Sequence, residues 1–258
     1  MKKNYNQGVF SYKKDIGKVR VSNDDDCKIV CNSYGNVLLL VADGMGGYKK
    51  GDYASNEVVK YLSDEFKNSY KFISVYDAYF WLEKRLRKIN SELYNLSNED
   101  KNYQGMGTTL VLAMIIKKKI LVVNIGDSRC YFVKDKKLTQ ISEDQTYVNY
   151  LYKSGQIEEK DIATNPNRHV LTNAIALFPS ISFDKQILKY EEQHIFLCSD
   201  GMYNNVSFKD LEAILNTKDS VEEKVNGLIR LANFNGGSDN ISCCLWEPIN
   251  DKTKWYYK

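Results

Sequence analysis

Short apolar runs recur along this chain of 258 residues, and acidic residues stand where these runs end. The run VLLLVADG reaches Asp43, the run ILVVNIGD reaches Asp127, and the run HIFLCSDG reaches Asp200. A single acid at the end of a strand is usually a turn or cap residue. The repetition of this pattern is hard to ascribe to turns, and it predicts strands whose charged ends converge.

Two further acidic sites precede apolar runs. The segment VSNDDDCKIV places Asp24, Asp25 and Asp26 before the first run, and GGSDNISCCLW places Asp239 before the last. If these strands share one sheet or two packed sheets, their carboxylates meet, and each raises the pKa of its neighbours. A bound divalent cation removes this repulsion, and an all-oxygen ligand set favours Mg²⁺ or Mn²⁺ over zinc.

Gly44 follows Asp43 directly, and Gly46 and Gly47 lie just beyond it. A glycine after the acid allows the backbone carbonyl to approach an ion, so we expect Gly44 to contribute its carbonyl oxygen. A turn that requires a positive φ is the alternative explanation, and the two can hold together.

The composition excludes several classes of function. A formal net charge of +3 is too small to indicate nucleic acid or membrane lipid as the main partner. No apolar run approaches the length of about 18 residues that a membrane-spanning helix needs, and the first residues lack a signal peptide. We therefore expect a cytoplasmic protein without membrane insertion. The six cysteines form no C-x-x-C pair and are expected to be buried free thiols.

Strand-like and helix-like patterns occur in separate blocks. Helical periodicity covers 53–66 and the segment after Ser74, and it returns at 208–215 and 220–234. Strand patterns cover 109–116, 120–125, 130–133, 138–141, 194–198 and 241–246, and the short links among the first four predict an antiparallel meander. Segregated strands and helix pairs predict an α+β fold with helices packed outside antiparallel sheets.

Other catalytic arrangements are absent from the sequence. It contains no G-x-S-x-G, no cysteine followed six residues later by arginine, and no phosphate-binding G-x-x-x-x-G-K-[ST] loop. Water activated by metal ions remains, a chemistry that suits phosphoryl transfer. Arg20, four residues before Asp24, is the best-placed cation for phosphate oxygens, and a surface ion pair is the alternative.

The chain resembles the metal-dependent serine/threonine protein phosphatases of type 2C, in their compact bacterial form. The matching segments occur in family order and span nearly the whole chain: DIGKVRVSNDDD (15–26), LLVADGMGGYKKGDYAS (39–55), GMGTTLVLAMI (105–115), VVNIGDSRCYFV (122–133), SEDQTYVNYLYKSGQI (142–157), NPNRHVLTNAIA (165–176), FLCSDGMYNNVS (196–207) and GGSDNIS (236–242). The resemblance implies a β-sandwich of two antiparallel sheets flanked by pairs of antiparallel helices. It also implies one catalytic domain over 1–258, with a flap at 144–168.

The resemblance further implies hydrolysis of phosphoserine and phosphothreonine in phosphorylated proteins, the products of a serine/threonine kinase. Its cofactors would be Mn²⁺ or Mg²⁺, in two tight sites and a third, weaker one. The residues that correspond to the family's site are Asp43, Asp200 and Asp239 for one ion, Asp43 and the Gly44 carbonyl with help from Asp25 for the second, and Asp127 with Asp200 for the third. Arg20 would bind phosphate, and Asn240 would support the ligands from behind.

Several positions depart from the family pattern. Asp24 stands where glutamate is common, Gln145 replaces a frequent histidine, and Asn173 stands where arginine is frequent. Met45 occupies the position of a proposed acid histidine in animal relatives, so a metal-bound water is the expected proton donor. None of these changes removes an expected ligand.

Two other functions remain open at this point. A pseudophosphatase that acts as a regulatory binding module would not need the acids at 43, 127, 200 and 239. Metal-dependent hydrolysis of a different phosphate ester is the second alternative.

Overall fold

Two antiparallel sheets packed face to face form the centre of the fold, in a computed structural model that describes residues 8–46 and 50–249. The strands of the first sheet are, in spatial order, β1 (Gly8–Asp15), β11 (Ile241–Pro248), β10 (His194–Cys198), β7 (Arg129–Lys134) and β8 (Lys137–Gln140). Those of the second are β2 (Asp25–Cys31), β3 (Val37–Met45), β5 (Leu110–Ile116), β6 (Lys119–Ile125) and β9 (Asp184–Lys189), and the short β4 (Gly107–Thr108) pairs with β3. The predicted α+β sandwich is confirmed.

The unbroken apolar run in β3 is explained by burial on both faces of its sheet. Side chains alternate across a strand, so Val37 and Leu39 point between the sheets, whereas Leu38 and Leu40 point toward the helices. A strand with one wet face would alternate apolar and polar residues instead. The run therefore belongs to one of the two inner layers of a four-layer molecule.

A helix pair covers the outer face of each sheet. Helices α1 (Lys50–Lys67) and α2 (Val75–Glu99) pack on the second sheet, and α6 (Phe208–Leu215) and α7 (Val221–Phe234) pack on the first. The predicted cap at Ser74 is present, since its hydroxyl accepts a hydrogen bond from the Asp77 amide at 3.2 Å. Both predicted helix pairs are confirmed.

The predicted meander is wrong at one link. Strands β5 and β6 pair with each other, as do β7 and β8, but β6 and β7 lie in different sheets. The chain crosses between the sheets through the short turn at Gly126, Asp127 and Ser128. Link length alone cannot distinguish such a crossing from a hairpin. The crossing places Asp127 at the junction of the two sheets.

Several elements were not indicated by the apolar pattern. Strands β1 and β9 are sheet edges with few buried side chains, so they carry no apolar run. Within 142–180, where the sequence has no clear period, the structure has the short helices α3 (Tyr147–Lys153) and α4 (Glu159–Ile162). Short helices α5 (Asp200–Tyr203) and a 3₁₀ turn (Lys101–Tyr103) complete the described fold.

Five of the six cysteines are buried free thiols, as predicted, but Cys31 at the end of β2 is exposed. No helix of the described segments has both the length and the apolar content to cross a lipid bilayer.

Candidate active site

The acids predicted to converge do so at one end of the sandwich. In the second sheet, Asp43 lies near the end of β3 and faces Asp25, the first residue of β2, across the strand pair. In the first sheet, Asp200 follows β10 at the start of α5, and Asp239 precedes β11. Asp127 joins them from the turn between the sheets. All but Asp25, which is buried behind them, line a cleft of about 960 Å³.

Crowding and burial shift the ionisation of these acids. Burial raises the pKa of Asp43 well above its ordinary value, and the charges of Asp25, Asp200, Asp127 and Asp239 raise it further. Burial likewise raises the pKa of Asp25 to about 7, with smaller contributions from Asp200 and Asp239. The site therefore holds several carboxyl groups that cannot all be charged without a compensating cation.

Asp127 and Asp200 are affected in the same way. Burial, followed by the charges of Asp200 and Asp144, raises the pKa of Asp127 to about 7. The pKa of Asp200 is also raised, by burial and by Asp239, while a hydrogen bond with Asp43 acts in the opposite direction.

Arg20 lies at the rim of the cleft and is paired with one of its acids. Its Nη2 donates to Asp239 Oδ2 at 2.8 Å, and its side chain is about half exposed. Although burial acts to lower the pKa of Arg20, the charges of Asp239, Asp200 and Asp43 raise it overall. Arg20 thus has both features considered from the sequence, an ion pair and a position within reach of an anion in the cleft.

Gly44 is needed for close backbone approach, not for a positive φ. A Cβ at this position would lie 2.1 Å from the Gly51 carbonyl oxygen of α1 and 2.6 Å from that of Asp24. The positive φ is found instead at Gly46, and Gly47 lies outside the described residues. The absence of a side chain at 44 therefore lets β3, α1 and the Asp24 segment meet beside Asp43.

Uncharged side chains outside the ligand set position the acids and the segment beside them through hydrogen bonds. Asn240 accepts a hydrogen bond from the Asp24 amide at 2.8 Å and donates to the carbonyls of Ile16 and Ser22, so it holds the segment that carries Arg20. Ser199 donates to Asp25 Oδ2 at 2.6 Å.

Three residues of the site were missed or undervalued in the sequence. Thr109 accepts a hydrogen bond from the Asp43 amide at 3.0 Å, and Ser199 supports Asp25. Thr109 begins a predicted strand and Ser199 directly follows one, which is the only signal that could have found them. His169 lies in a segment that has neither helical nor strand periodicity in the sequence. In the structure it lines the cleft, with its Nδ1 4.0 Å from Asp200 Oδ2.

The chemistry of this donor set fits a hard divalent cation. The cleft offers several buried carboxylate oxygens, and a cation would balance the mutual repulsion that raises their pKa values. Among residues 8–46 and 50–249, no three His, Cys, Asp or Glu side chains already form a closed ligand set for one ion. Asp239 instead pairs with Arg20. Binding of an ion at Asp239 therefore requires this carboxylate to exchange Arg20 for the ion.

Comparison with known proteins agrees with this geometry. A sequence profile described as protein phosphatase 2C matches residues 18–243, which include every acid of the cleft. The chain belongs to the protein phosphatase 2C family. A serine/threonine phosphatase of Listeria welshimeri is 33% identical over 237 residues, covering 92% of this chain and 94% of that protein.

Solved structures of this phosphatase family have the same fold. The serine/threonine phosphatase Stp1 from Staphylococcus aureus superposes with a TM-score of 0.88 at 31% identity, over 95% of this chain and 96% of that one. The catalytic domain of the phosphatase PstP, solved in complex with two manganese ions, superposes with a TM-score of 0.81 at 27% identity, over 94% and 99% of the two chains. The resemblance to type 2C phosphatases in the sequence is confirmed.

Proposed function

We propose that the acidic cleft is the active site of a serine/threonine protein phosphatase, which hydrolyses phosphoserine and phosphothreonine in other proteins. The observation that carries the proposal is the convergence of acids from both sheets on one cleft, in a chain of the protein phosphatase 2C family. The pseudophosphatase alternative is not favoured, because a binding role does not require such a costly cluster of buried acids.

The acids in and behind the cleft would be the metal ligands. Asp43, Asp200 and Asp239 would hold one Mn²⁺ or Mg²⁺, and Asp43 with the Gly44 carbonyl would hold a second, assisted by Asp25. Asp127 and Asp200 would hold a third, weaker ion. Such ions supply an activated water and balance the charge that develops on the phosphoryl group. Support comes from the all-oxygen character of the donors and from the two manganese ions in PstP.

The protein's own groups bind and orient the substrate. Arg20 would exchange Asp239 for the phosphate, whose oxygens match the two donor directions of a guanidinium. Asn240 would keep Arg20 in place through the backbone of the 16–24 segment. The segment 144–168 would form a flap beside the cleft, within a single catalytic domain.

The biological setting belongs to the same proposal. The substrates would be proteins phosphorylated by a serine/threonine kinase, in the cytoplasm. The test compares proteins from cells with and without this chain and identifies the phosphoserine and phosphothreonine sites that gain occupancy when it is missing.

The activity itself is tested with purified protein, Mn²⁺ and a set of phosphoserine and phosphothreonine peptides. We expect metal-dependent release of phosphate that is abolished by Asp43→Asn, while circular dichroism shows the fold retained. The matched control is Asp219→Asn, the same change at an exposed acid between α6 and α7. Folded wild-type protein that binds phosphopeptides and Mn²⁺ without turnover would instead identify a binding module.

A further inference from the structure

Gln145 has an unusually complete set of hydrogen bonds for a residue that is not fully buried. Its side-chain oxygen accepts from the Gly126 amide at 2.9 Å and from Asn173 Nδ2 at 2.8 Å. Its side-chain nitrogen donates to Asp184 Oδ2 at 2.8 Å and to the Asn124 carbonyl at 3.3 Å. Both acceptor and both donor positions of the amide are in use, which fixes its orientation.

The backbone of Gln145 makes contacts that reinforce those of its side chain. Its amide donates to the Gly126 carbonyl at 2.9 Å, so Gln145 and Gly126 are joined by two hydrogen bonds in opposite directions. Its carbonyl accepts from both the amide and the hydroxyl of Thr172, at 2.9 and 3.0 Å. Gln145 therefore links the start of the 144–168 flap, the chain that leaves the flap, and the turn before Asp127.

The neighbouring residue holds the other side of the same turn. Asp144 accepts from Arg129 Nε at 3.0 Å and from Arg129 Nη2 at 2.6 Å. The Arg129 guanidinium lies 3.5 Å above the ring of Tyr203, and the Tyr203 hydroxyl donates to the Asp127 carbonyl at 3.2 Å. Two consecutive residues of the flap thus bind both sides of the turn: Gln145 bonds to Gly126, before Asp127, and Asp144 bonds to Arg129, after it.

The turn is tightly packed, so a displacement of Gly126 has few ways to be absorbed. Gly126 has a φ of +96°, and a Cβ there would lie 2.7 Å from the Thr109 methyl group. Thr109 in turn hydrogen-bonds to Ser128 at 2.8 Å and accepts from the Asp43 amide. Close packing transmits small shifts rather than absorbing them.

We propose that Gln145 is a positioning residue that couples the flap to Asp127 and thereby sets the geometry of the catalytic cleft. The inference rests on the proposed phosphatase function for its effect on turnover, but the mechanical link is a property of the fold alone. Gln145 touches neither substrate nor reacting atoms in this account; it acts through Gly126 and the turn.

The decisive test compares two proteins, the single variant Gln145→Glu and the double variant that also carries Asp184→Asn. In the single variant, the hydrogen bond from residue 145 to Asp184 is lost. The new carboxylate keeps the acceptor for Gly126 and Asn173 but faces the Asp184 carboxylate where an amide donor stood. We expect kcat on a phosphopeptide to fall about tenfold to 100-fold, as for other misplaced catalytic groups, with KM changed less than about twofold. Asp184→Asn in the same chain supplies a new donor to the introduced carboxylate and should restore part of kcat, since the donor to the Asn124 carbonyl is still missing.

Amide exchange measured on the metal-free protein tests the link without any turnover. Gln145→Ala and Asn173→Ala should each accelerate exchange at 124–128, and Asn173→Ala should add little once Gln145 is replaced, because both act through one amide. Gln156→Ala is the matched control, since among the described contacts the Gln156 side chain hydrogen-bonds only to Ser154, within the flap. It should leave both exchange in the turn and kcat unchanged.

The outcomes separate this inference from the proposed function. Unchanged exchange at 124–128 in both Gln145→Ala and Asn173→Ala overturns the link, as does equal acceleration in Gln156→Ala. Faster exchange in the turn with normal kcat overturns the positioning role. Failure of wild-type protein to hydrolyse any phosphopeptide would contradict the proposed function, while the exchange result would still decide whether Gln145 couples the flap to the turn.

Discussion

Arg20 illustrates how one residue can hold two roles that a sequence presents as alternatives. Its guanidinium is paired with Asp239, yet more than half of its side chain remains accessible at the rim of the cleft. An exposed ion pair contributes little to stability, about 0–1 kcal/mol. The arrangement therefore leaves Arg20 free to exchange a carboxylate for a phosphate at small cost.

Replacement of Arg20 should affect substrate binding and turnover more than folding. We expect Arg20→Ala to lower kcat/KM by about tenfold to 100-fold, because two charge-assisted hydrogen bonds are lost. Arg20→Lys should cost less, since it keeps the charge and loses only the fork. Steady-state kinetics at saturating Mn²⁺, with inhibition by inorganic phosphate, provides the measurement.

The matched control for Arg20 is Arg87, which pairs with Glu83 on α2 and has a nearly identical exposure, 55% against 54%. Arg87→Ala removes an ion pair of the same kind away from the cleft and should leave kcat/KM unchanged. Wild-type kinetics and phosphate inhibition in Arg20→Ala would show that Arg20 serves only as a surface ion-pair partner.

Asp127 differs from the other acids because it lies in the turn between the sheets. Asp127→Asn should leave the two tight ions in place and lower kcat on phosphopeptides about tenfold or more, equivalent to about 1.4 kcal/mol in the barrier. Calorimetric titration with Mn²⁺ counts the tight ions, and kinetics gives the defect. Asp135→Asn at the tip of the next hairpin is the control. Loss of a tight ion would contradict the assignment of Asp127 to a weaker site.

At the scale of elements, the close contact between β3 and α1 depends on Gly44. A methyl group at 44 would overlap the Gly51 carbonyl, and backbone on both sides prevents relief. Gly44→Ala should therefore destabilise the protein by several kcal/mol, in the range of severe packing defects, and abolish activity. Thermal unfolding and phosphatase assays provide the two measurements.

Gly227 in the interior of α7 provides the opposite case. The nearest atom to an added Cβ is 4.0 Å away, so Gly227→Ala meets no obstacle. Alanine in a helix interior should stabilise by about 0.5–1 kcal/mol relative to glycine, with activity unchanged. A similar response of both glycines to alanine would rule out the steric role of Gly44.

The elements that could be predicted from sequence are those with a regular pattern of buried residues. Strand β3, helix α2 with its Ser74 cap, and the paired helices α6 and α7 all carry such patterns. The acids of the site could be found because each stands next to an apolar run. Strands β1 and β9 could not, because these two edge strands bury few side chains and leave no periodic pattern.

Long-range partners account for the rest of what the sequence did not show. Gln145 gains its role from Gly126, Thr172, Asn173 and Asp184, which are distant in sequence and have no common pattern. The crossing between β6 and β7 depends on which sheet each strand joins, and short links permit either choice. Tertiary pairing, not local propensity, decides such features.

At the scale of the whole molecule, the acid cluster opposes folding unless its charge is balanced. Burial and mutual repulsion raise the pKa of Asp25 and of Asp127 to about 7, and raise those of Asp43 and Asp200 as well. A carboxyl group with a higher pKa in the folded state binds more protons when folded. Its stabilising effect is complete below the unfolded pKa of about 4 and is lost as the pH rises to about 7.

Metal-free protein in EDTA should therefore lose stability between about pH 4 and about pH 7, by a few degrees in Tm or more, as these acids ionise. Asp43→Asn removes one acid from the cluster, so its Tm should fall less over the same interval and should exceed that of wild type at the upper end. Saturating Mn²⁺ should reverse the order, because only wild type keeps the full ligand set and ligand binding stabilises the folded state. Thermal unfolding of both proteins across pH, with EDTA and with Mn²⁺, gives the comparison. If Tm falls equally with pH in the two proteins in EDTA, repulsion within the acid cluster does not cause the loss of stability. If Mn²⁺ leaves the Tm curve of wild type unchanged, the cation does not relieve that repulsion.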